Sequence, residues 1–216
     1  ALTGIARSGK DTVADMLQAT LPDSLSERYA LADPIRELVH ALTHVSTEVA
    51  VTQKDLELSY SINLEDMEAT LHVFNEVFAG RPEYLFHEYW DFLLKLFTYQ
   101  ETTGDFLYKG SLRNLYQLTG TEYARGIDDN IWLKLAPKNA LITDIRFDNE
   151  AQWFKDLGYN VIAICRPEHG ASIGSAHVSE QGVSIAPTWV INNGGDLEDL
   201  KTEVTRALRW CGTGKS

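Results

Sequence analysis

Residues Gly4-Ile5-Ala6-Arg7-Ser8-Gly9-Lys10-Asp11-Thr12 have the types and spacing to hold a polyphosphate. They read G-x-x-x-x-G-K. Gly4 and Gly9 permit backbone conformations that a Cβ disfavours. The N–H groups of Gly4, Ala6, Arg7, Ser8 and Gly9 can then turn inward, and a helix beginning near Lys10 adds its positive end. Lys10 would reach the β- and γ-phosphates of a nucleotide. The bland alternative is a glycine-rich turn with a surface lysine. The flanks favour the phosphate site: apolar Ala1-Leu2-Thr3 suits a buried strand, and Val13, Ala14 and Leu17 recur at helical spacing.

The position after the lysine departs from the common form, which places a magnesium-ligating Ser or Thr there. Here it is Asp11, and the hydroxyl follows at Thr12. A carboxylate beside phosphates repels them unless a metal, an arginine or a donor hydroxyl lies between. Asp11 is therefore expected to act on Mg²⁺ through water or on the phosphate acceptor. A plain helix N-terminal acid is the competing reading.

Two further clusters carry charge in useful places. Ala140-Leu141-Ile142-Thr143 is an apolar run ending in Asp144, with Arg146, Asn149 and Glu150 following. Carboxylates at strand C-termini in an open parallel sheet face the ligand crevice, so Asp144 is expected on the same edge as the loop. In Ser111 to Tyr123, Arg113 and Gln117 share a helix face, opposite Leu112, Leu115 and Leu118, with Gly120 expected to end the helix. Arg125 and Trp132 follow. Arginines can grip phosphate bidentately, Gln can read a base edge and Trp can stack on it. A solvated helix face with a core tryptophan explains the same residues equally well.

The elements that must position these groups alternate strand and helix. Arg28 to Ala32 is a short strand candidate. Asp33 is expected as the N-cap of a helix with Pro34 first and Ile35, Leu38, Val39 and Leu42 inward. Residues 44–110 read as helical: one helix from Asn63 with Leu64, Met67, Leu71, Phe74 and Phe78 in a stripe, another over Glu83 to Phe97. Such stripes are more often core than ligand box. This stretch is expected as an insert serving as lid, acceptor-binding region or dimer face. Asn160 to Cys165 and Thr188 to Ile191 are strands, Asn192-Asn193-Gly194-Gly195 a turn, and Asp196 opens a last helix. Glu168 to Ala176 reads as a mobile loop ahead of His177-Val178-Ser179-Glu180.

At 216 residues, one domain or one domain with an insert is expected. A 44% hydrophobic and 23% charged composition is that of an ordinary globular protein. The net charge of −12 argues against a duplex nucleic-acid binder, though not against a nucleotide site. Cys165 and Cys211 form no disulfide framework, and Cys165, in an apolar run, is expected in the core. Without a signal peptide or long apolar run, the expectation is a cytoplasmic protein.

Together these residues resemble the phage-type deoxynucleoside monophosphate kinases. The matching stretches are Ser8 to Thr12, Leu31-Ala32-Asp33-Pro34, Gln117 through Arg125, Thr143 to Phe147 with Asn149-Glu150, and His177 to Glu180. The resemblance implies a P-loop α/β fold, a three-layer sandwich with a parallel sheet flanked by helices, plus the helical insert. It implies transfer of the ATP γ-phosphate to a dNMP, with Mg²⁺, in a homodimer in the host cytoplasm. On that pattern Gly4 to Thr12 hold ATP, with Arg166 along the adenine. Asp11, Thr12 and Asp144 serve the metal. Lys10, Asp11, Arg113, Arg125, Asp144 and Arg146 are catalytic. Asp33, Arg36, Arg113, Gln117, Glu122, Arg125, Trp132, Asp144 and Glu150 contact the acceptor. The alternatives are a P-loop kinase of phosphomevalonate or dephospho-CoA type, or a slow nucleotide-hydrolysing switch. The switch would call for a guanine-reading N-K-x-D, which the sequence lacks.

Overall fold

Short apolar segments separated by amphipathic helices build the molecule, seen here in a computed structural model that describes residues 1–21, 27–166 and 183–212. In chain order the first elements are β1 (Leu2–Thr3), α1 (Lys10–Gln18), β2 (Arg28–Tyr29), α2 (Asp33–Thr43), α3 (Thr47–Gln53), β3 (Leu58–Ile62), α4 (Leu64–Val77) and α5 (Phe86–Leu94). Then come β4 (Thr98–Gln100), β5 (Asp105–Gly110), α6 (Leu112–Gln117), a π-helical stretch (Leu118–Arg125) and α7 (Ile131–Leu135). The last are β6 (Leu141–Ile142), α8 (Asp148–Asp156), β7 (Ile162–Cys165), β8 (Trp189–Asn192) and α9 (Leu197–Gly212). They form two units, one of residues 1–31 with 136–216 and one of residues 32–135.

The first unit is built on parallel strands. β1 pairs β7, β7 pairs β8 and β2 pairs β6, all parallel. A parallel bridge of Thr3 with Ile145, just past β6, joins the two sets. The order is therefore β2-β6-β1-β7-β8. The chain leaves β1 towards β2 on one side and returns to β7 on the other, so the loop after β1 lies at the topological switch point, where open α/β sheets bind ligands. Leu2, Ile162, Ile164 and Ile191 of the strands pack with Val13, Ala14 and Leu17 of α1 and Leu200, Val204 and Ala207 of α9. This is the expected parallel α/β fold with flanking helices.

The second unit corrects the expected all-helical insert. Residues 58–110 contain an antiparallel sheet, order β3-β5-β4. Its signal was period two: along Leu58–Ile62, Tyr60 and Ile62 are buried and the residues between are exposed. The helix beginning at Asn63 is capped as its sequence suggests. Asn63 accepts from the Glu65 and Asp66 N–H groups, and Asp66 Oδ2 accepts from the Asn63 N–H at 2.7 Å. Its buried face, however, is Asp66, Thr70 and Phe74, while Leu64 and Leu71 are exposed. The aromatic stripe behaves as core, with Tyr84, Tyr89 and Leu93 buried. The helix after residue 32 starts one place early: Ala32 is its N-cap and Asp33 its first residue. Cys165 is exposed rather than buried, because β7 ends there at the sheet edge.

Candidate active site

The loop after β1 has the geometry its glycines suggest. Gly4 has φ +149°, and a Cβ there would lie 2.6 Å from the Ile164 carbonyl oxygen and 2.8 Å from Ser8 Oγ. Gly9 has φ +97°, and a Cβ there would lie 2.3 Å from Asn193 Nδ2. Arg7 also takes a left-handed conformation, with φ 63°. The turn closes through the Ser8 N–H to Ile5 O at 3.3 Å, and α1 begins with the Val13 N–H to Gly9 O at 3.0 Å. Gly9 is the N-cap of α1 and supplies no side-chain cap, so a ligand can serve the first-turn N–H groups. Ser8 Oγ is buried without a protein hydrogen-bond partner. A strained turn, an uncapped helix start and a buried hydroxyl lacking a partner fit a phosphate-binding cradle.

Lys10 reaches back over the loop, donating from Nζ to Gly4 O at 2.7 Å and Ile5 O at 2.8 Å. Its burial and the nearby Arg146 guanidinium lower its pKa from the ordinary lysine value, while Asp11 and Asp144 oppose that shift. Lys10 thus feels the charges of Arg146, Asp11 and Asp144. Asp144 is buried and accepts the Leu31 N–H on Oδ1 at 2.6 Å, which ties the strand ends of β2 and β6. Thr12 is exposed one place after Asp11. Arg166 is exposed directly after β7, at the sheet edge where the loop lies.

Asp11 has the arginine its chemistry requires. Arg28, at the start of β2, binds Asp11 Oδ1 through Nη2 and Asp15 Oδ1 through Nη1 at 2.8 Å. Asp11 keeps 88% of its side chain exposed. Sequence reasoning placed Arg28 in a strand and gave it no role. Its partners lie on α1 at i and i+4, a spacing that is itself the signal for one cation to serve both.

Glu150, expected against the substrate, is 4% exposed, and its Oε2 accepts the N–H groups of Arg146 at 2.8 Å and Phe147 at 3.1 Å. It shapes the turn that leads from β6 into α8. Asn193, read only as part of a turn, donates its side-chain amide to Ser8 O at 2.9 Å. Its place at the C-terminal end of a parallel strand was the available signal.

In the second unit the candidate arginines each carry an acidic companion. Arg36 donates to Asp33. Arg113 Nε donates to Asp55 Oδ1, and Nη2 to Oδ2 at 3.4 Å. Arg125 donates to Asp129 at 2.7 Å, with its side chain only 9% exposed. Gln117 is half-buried and Glu122 exposed. Gly120 does not end the helix. The chain passes from α-helix into π-helix at Leu118, and a Cβ on Gly120 would lie 2.5 Å from Ile35 Cδ1. Close approach to α2, not termination, is what that glycine permits.

Trp132 is the clearest correction. Expected as an exposed stacking ring, it is 3% exposed. Its indole N–H donates to Gly120 O at 2.9 Å, and its ring lies 6.0 Å from that of Phe78. Wide-ring burial and the need of a π-helical carbonyl for a donor draw it inward. His177 to Glu180 and the loop before them lie outside the described residues.

A parallel α/β sheet with this loop at its switch point defines a nucleotide-binding P-loop protein. A family model described as Deoxynucleotide monophosphate kinase matches residues 1–204, including residues 44–110, where no motif stands out. The chain is 30% identical to the deoxynucleoside-5'-monophosphate kinase of Escherichia phage T5, across 94% of this chain and 92% of that protein. It is 26% identical to the deoxynucleotide monophosphate kinase of Enterobacteria phage T4, across 96% and 97%. The chain belongs to the deoxynucleotide monophosphate kinase family. Membership in that family disfavours both the phosphomevalonate or dephospho-CoA type and the slow switch.

Proposed function

We propose that the chain transfers the γ-phosphate of ATP to a deoxynucleoside monophosphate, giving ADP and a dNDP, with the first unit binding the donor and the second the acceptor. The loop geometry carries the donor half: two glycines in tight turns, an uncapped helix start and a lysine folded over it. Phosphoryl transfer needs positioning and charge neutralisation rather than covalent catalysis. Gly4 to Gly9 would present N–H groups to the β- and γ-phosphates. Lys10 would exchange its two carbonyl partners for phosphate oxygens, and Arg146 would add a second cation. Arg166 would lie along the adenine.

Asp11, Thr12 and Asp144 are hard oxygen donors of the kind Mg²⁺ takes, directly or through water. When bound, the ion would neutralise charge on the phosphates. Arg28 would keep Asp11 turned away from the donor phosphates. On the acceptor side, Arg113 and Arg125 would bind the monophosphate, with Arg36 and Asp33 beside them, Gln117 reading the base edge and Glu122 at the rim. Arg36 and Arg113 would exchange their carboxylates for a phosphate at little cost, since exposed pairs are worth about 0–1 kcal/mol. Trp132 would support this region from within by satisfying Gly120.

The working form would be a homodimer in the host cytoplasm. Exposed Leu64 and Leu71 of α4 suit residues 44–110 as a dimer face, with lid and acceptor roles as the alternatives. Among the described residues no helix is long and apolar enough to cross a membrane. A coupled ADP-release assay across the common dNMPs and NMPs tests the proposal. Turnover that rises with one or more dNMPs is expected, and ATPase activity indifferent to every nucleoside monophosphate would overturn it.

A further inference from the structure

Asn193 lies far from the loop in sequence, yet it touches the loop where the last turn meets α1. Its Nδ2 donates to Ser8 O at 2.9 Å across 185 positions. Its backbone is fixed as well. The Asn193 N–H donates to Cys165 O at 2.7 Å, continuing a ladder whose last pair is Cys165 with Asn192. The amide thus extends from a sheet-anchored backbone, not from a loose turn. On the other side, Gly9 has no side chain to obstruct it; any Cβ would stand 2.3 Å from Nδ2.

The peptide group is planar and almost always trans, so its C=O and N–H point to opposite sides. Fixing Ser8 O towards Asn193 therefore turns the Gly9 N–H the other way. The neighbouring groups are already committed: the Ser8 N–H to Ile5 O, and Gly9 O to the Val13 N–H. Ser8 O is the acceptor that neither the turn nor the helix uses in these bonds, and Asn193 takes it. Chemistry narrows the residue type. Aspartate would set a carboxylate against a carbonyl oxygen, and glutamine would carry its amide one methylene further into the space Gly9 leaves.

We infer that Asn193 is a positioning residue for the donor phosphates: it locks the Ser8–Gly9 peptide so that the Gly9 N–H is preset towards the polyphosphate. The inference rests on the donor-site reading of the loop. It assigns Asn193 an effect on phosphate affinity and none on the acceptor.

The test compares the wild-type protein with Asn193→Ala, Asn193→Asp and Asn193→Ser. Titration calorimetry measures binding of ATP and of inorganic tripolyphosphate, each with Mg²⁺, beside KM for ATP and dNMP and the melting temperature. Asn193→Ala should weaken ATP and tripolyphosphate by the same factor, about tenfold for one hydrogen-bonding group, with the dNMP KM unchanged. Asn193→Asp should weaken both further, and Asn193→Ser, which keeps a short donor, should fall between wild type and alanine. If tripolyphosphate binds Asn193→Ala as it binds wild type, the inference is overturned, whatever the melting temperature does. Should the alanine protein not fold, equal affinities in wild type and the serine protein overturn it instead. A wild-type protein that binds neither ATP nor tripolyphosphate would sink the donor-site reading itself.

Discussion

The loop lysine of the first unit and the candidate arginines of the second are held by opposite means. In the first, Lys10 is held by two backbone carbonyls of its own loop. In the second, Arg36, Arg113 and Arg125 are held by side-chain carboxylates of Asp33, Asp55 and Asp129. A loop that holds its own lysine through neighbouring backbone carbonyls needs few distant residues, Asn193 among them. A site made of side-chain pairs draws on residues as far apart as Asp55 and Arg113, and each pair can be exchanged for a ligand. This division suits the proposed roles, a nucleotide donor in the first unit and a monophosphate acceptor in the second.

The largest effect should follow loss of the loop's lysine. Lys10→Met is expected to cut kcat/KM for ATP by about 10³-fold, as for other groups placed on transferring phosphates. Retained activity within tenfold would remove the first unit from the chemistry. Next come the acceptor arginines. Arg113→Ala and Arg125→Ala should each lower kcat/KM for dNMP by about 10²- to 10³-fold and leave the ATP KM nearly unchanged. Asp55→Asn and Asp129→Asn should change it much less, because each leaves in place the arginine that would meet the phosphate. If the aspartate variants were as damaging as the arginine ones, the pairs would be structural and the comparison would fail.

Asp11 sharpens the donor side. Asp11→Asn should reduce kcat by about a hundredfold with the melting temperature little altered, since its carboxylate is exposed beside Arg28. Asp11→Ser, which restores the common loop spelling, should stay impaired because Thr12 already supplies the hydroxyl. Trp132→Ala should show up in stability: a loss of about 3–5 kcal/mol for truncating a large core ring, read by denaturant melts. A dNMP KM that rises sharply in a still-stable protein would return Trp132 to the acceptor's base.

The smallest effect concerns His40, whose ring nitrogen lies 2.7 Å from Tyr116 Oη. Burial, and then the Arg36 charge, lower its pKa below the ordinary histidine value. The unfolded chain therefore binds that proton more readily. The stability contribution is present above the ordinary value near ~6.5 and is lost as pH falls below it. Melting temperature should drop less on acidification in His40→Gln than in wild type.

What could be read from the sequence follows the same division. The loop, its preceding strand, α1 and the placement of Asp144 were legible because each is spelled by neighbouring residues and by strand-end chemistry. Arg28 and Asn193 were harder to see, because their partners lie 13 or more positions away and the available signals, an i, i+4 acid pair and a strand end, name no partner. Trp132 misled because residue type alone does not separate a stacking ring from a core ring with a hydrogen-bonding edge. The β3–β5–β4 sheet was missed because aromatic residues at helical spacing on either side dominated the pattern. Leu64 and Leu71 show the cost of counting apolar residues by period: the buried face of α4 is instead secured by capping and by Thr70, whose Oγ1 donates to Asp66 O at 2.6 Å.

The eight-residue π-helical stretch Leu118–Arg125 makes chain length itself a determinant. A π turn holds extra residue per turn, so everything after it is phased differently from a plain α-helix. Gln117 lies before the phase change and Arg125 at its end, while Tyr84 and Trp132 are bonded to the Ala124 and Gly120 carbonyls inside it. Deleting one residue between Leu118 and Glu122 would let the segment relax to about 3.6 residues per turn and change both the rise and the direction of Arg125 about the axis. No substitution at any one of these positions would do the same. This segment should therefore tolerate altered letters far better than an altered count, and homologous chains that keep Arg125 in place should keep its distance from Gln117.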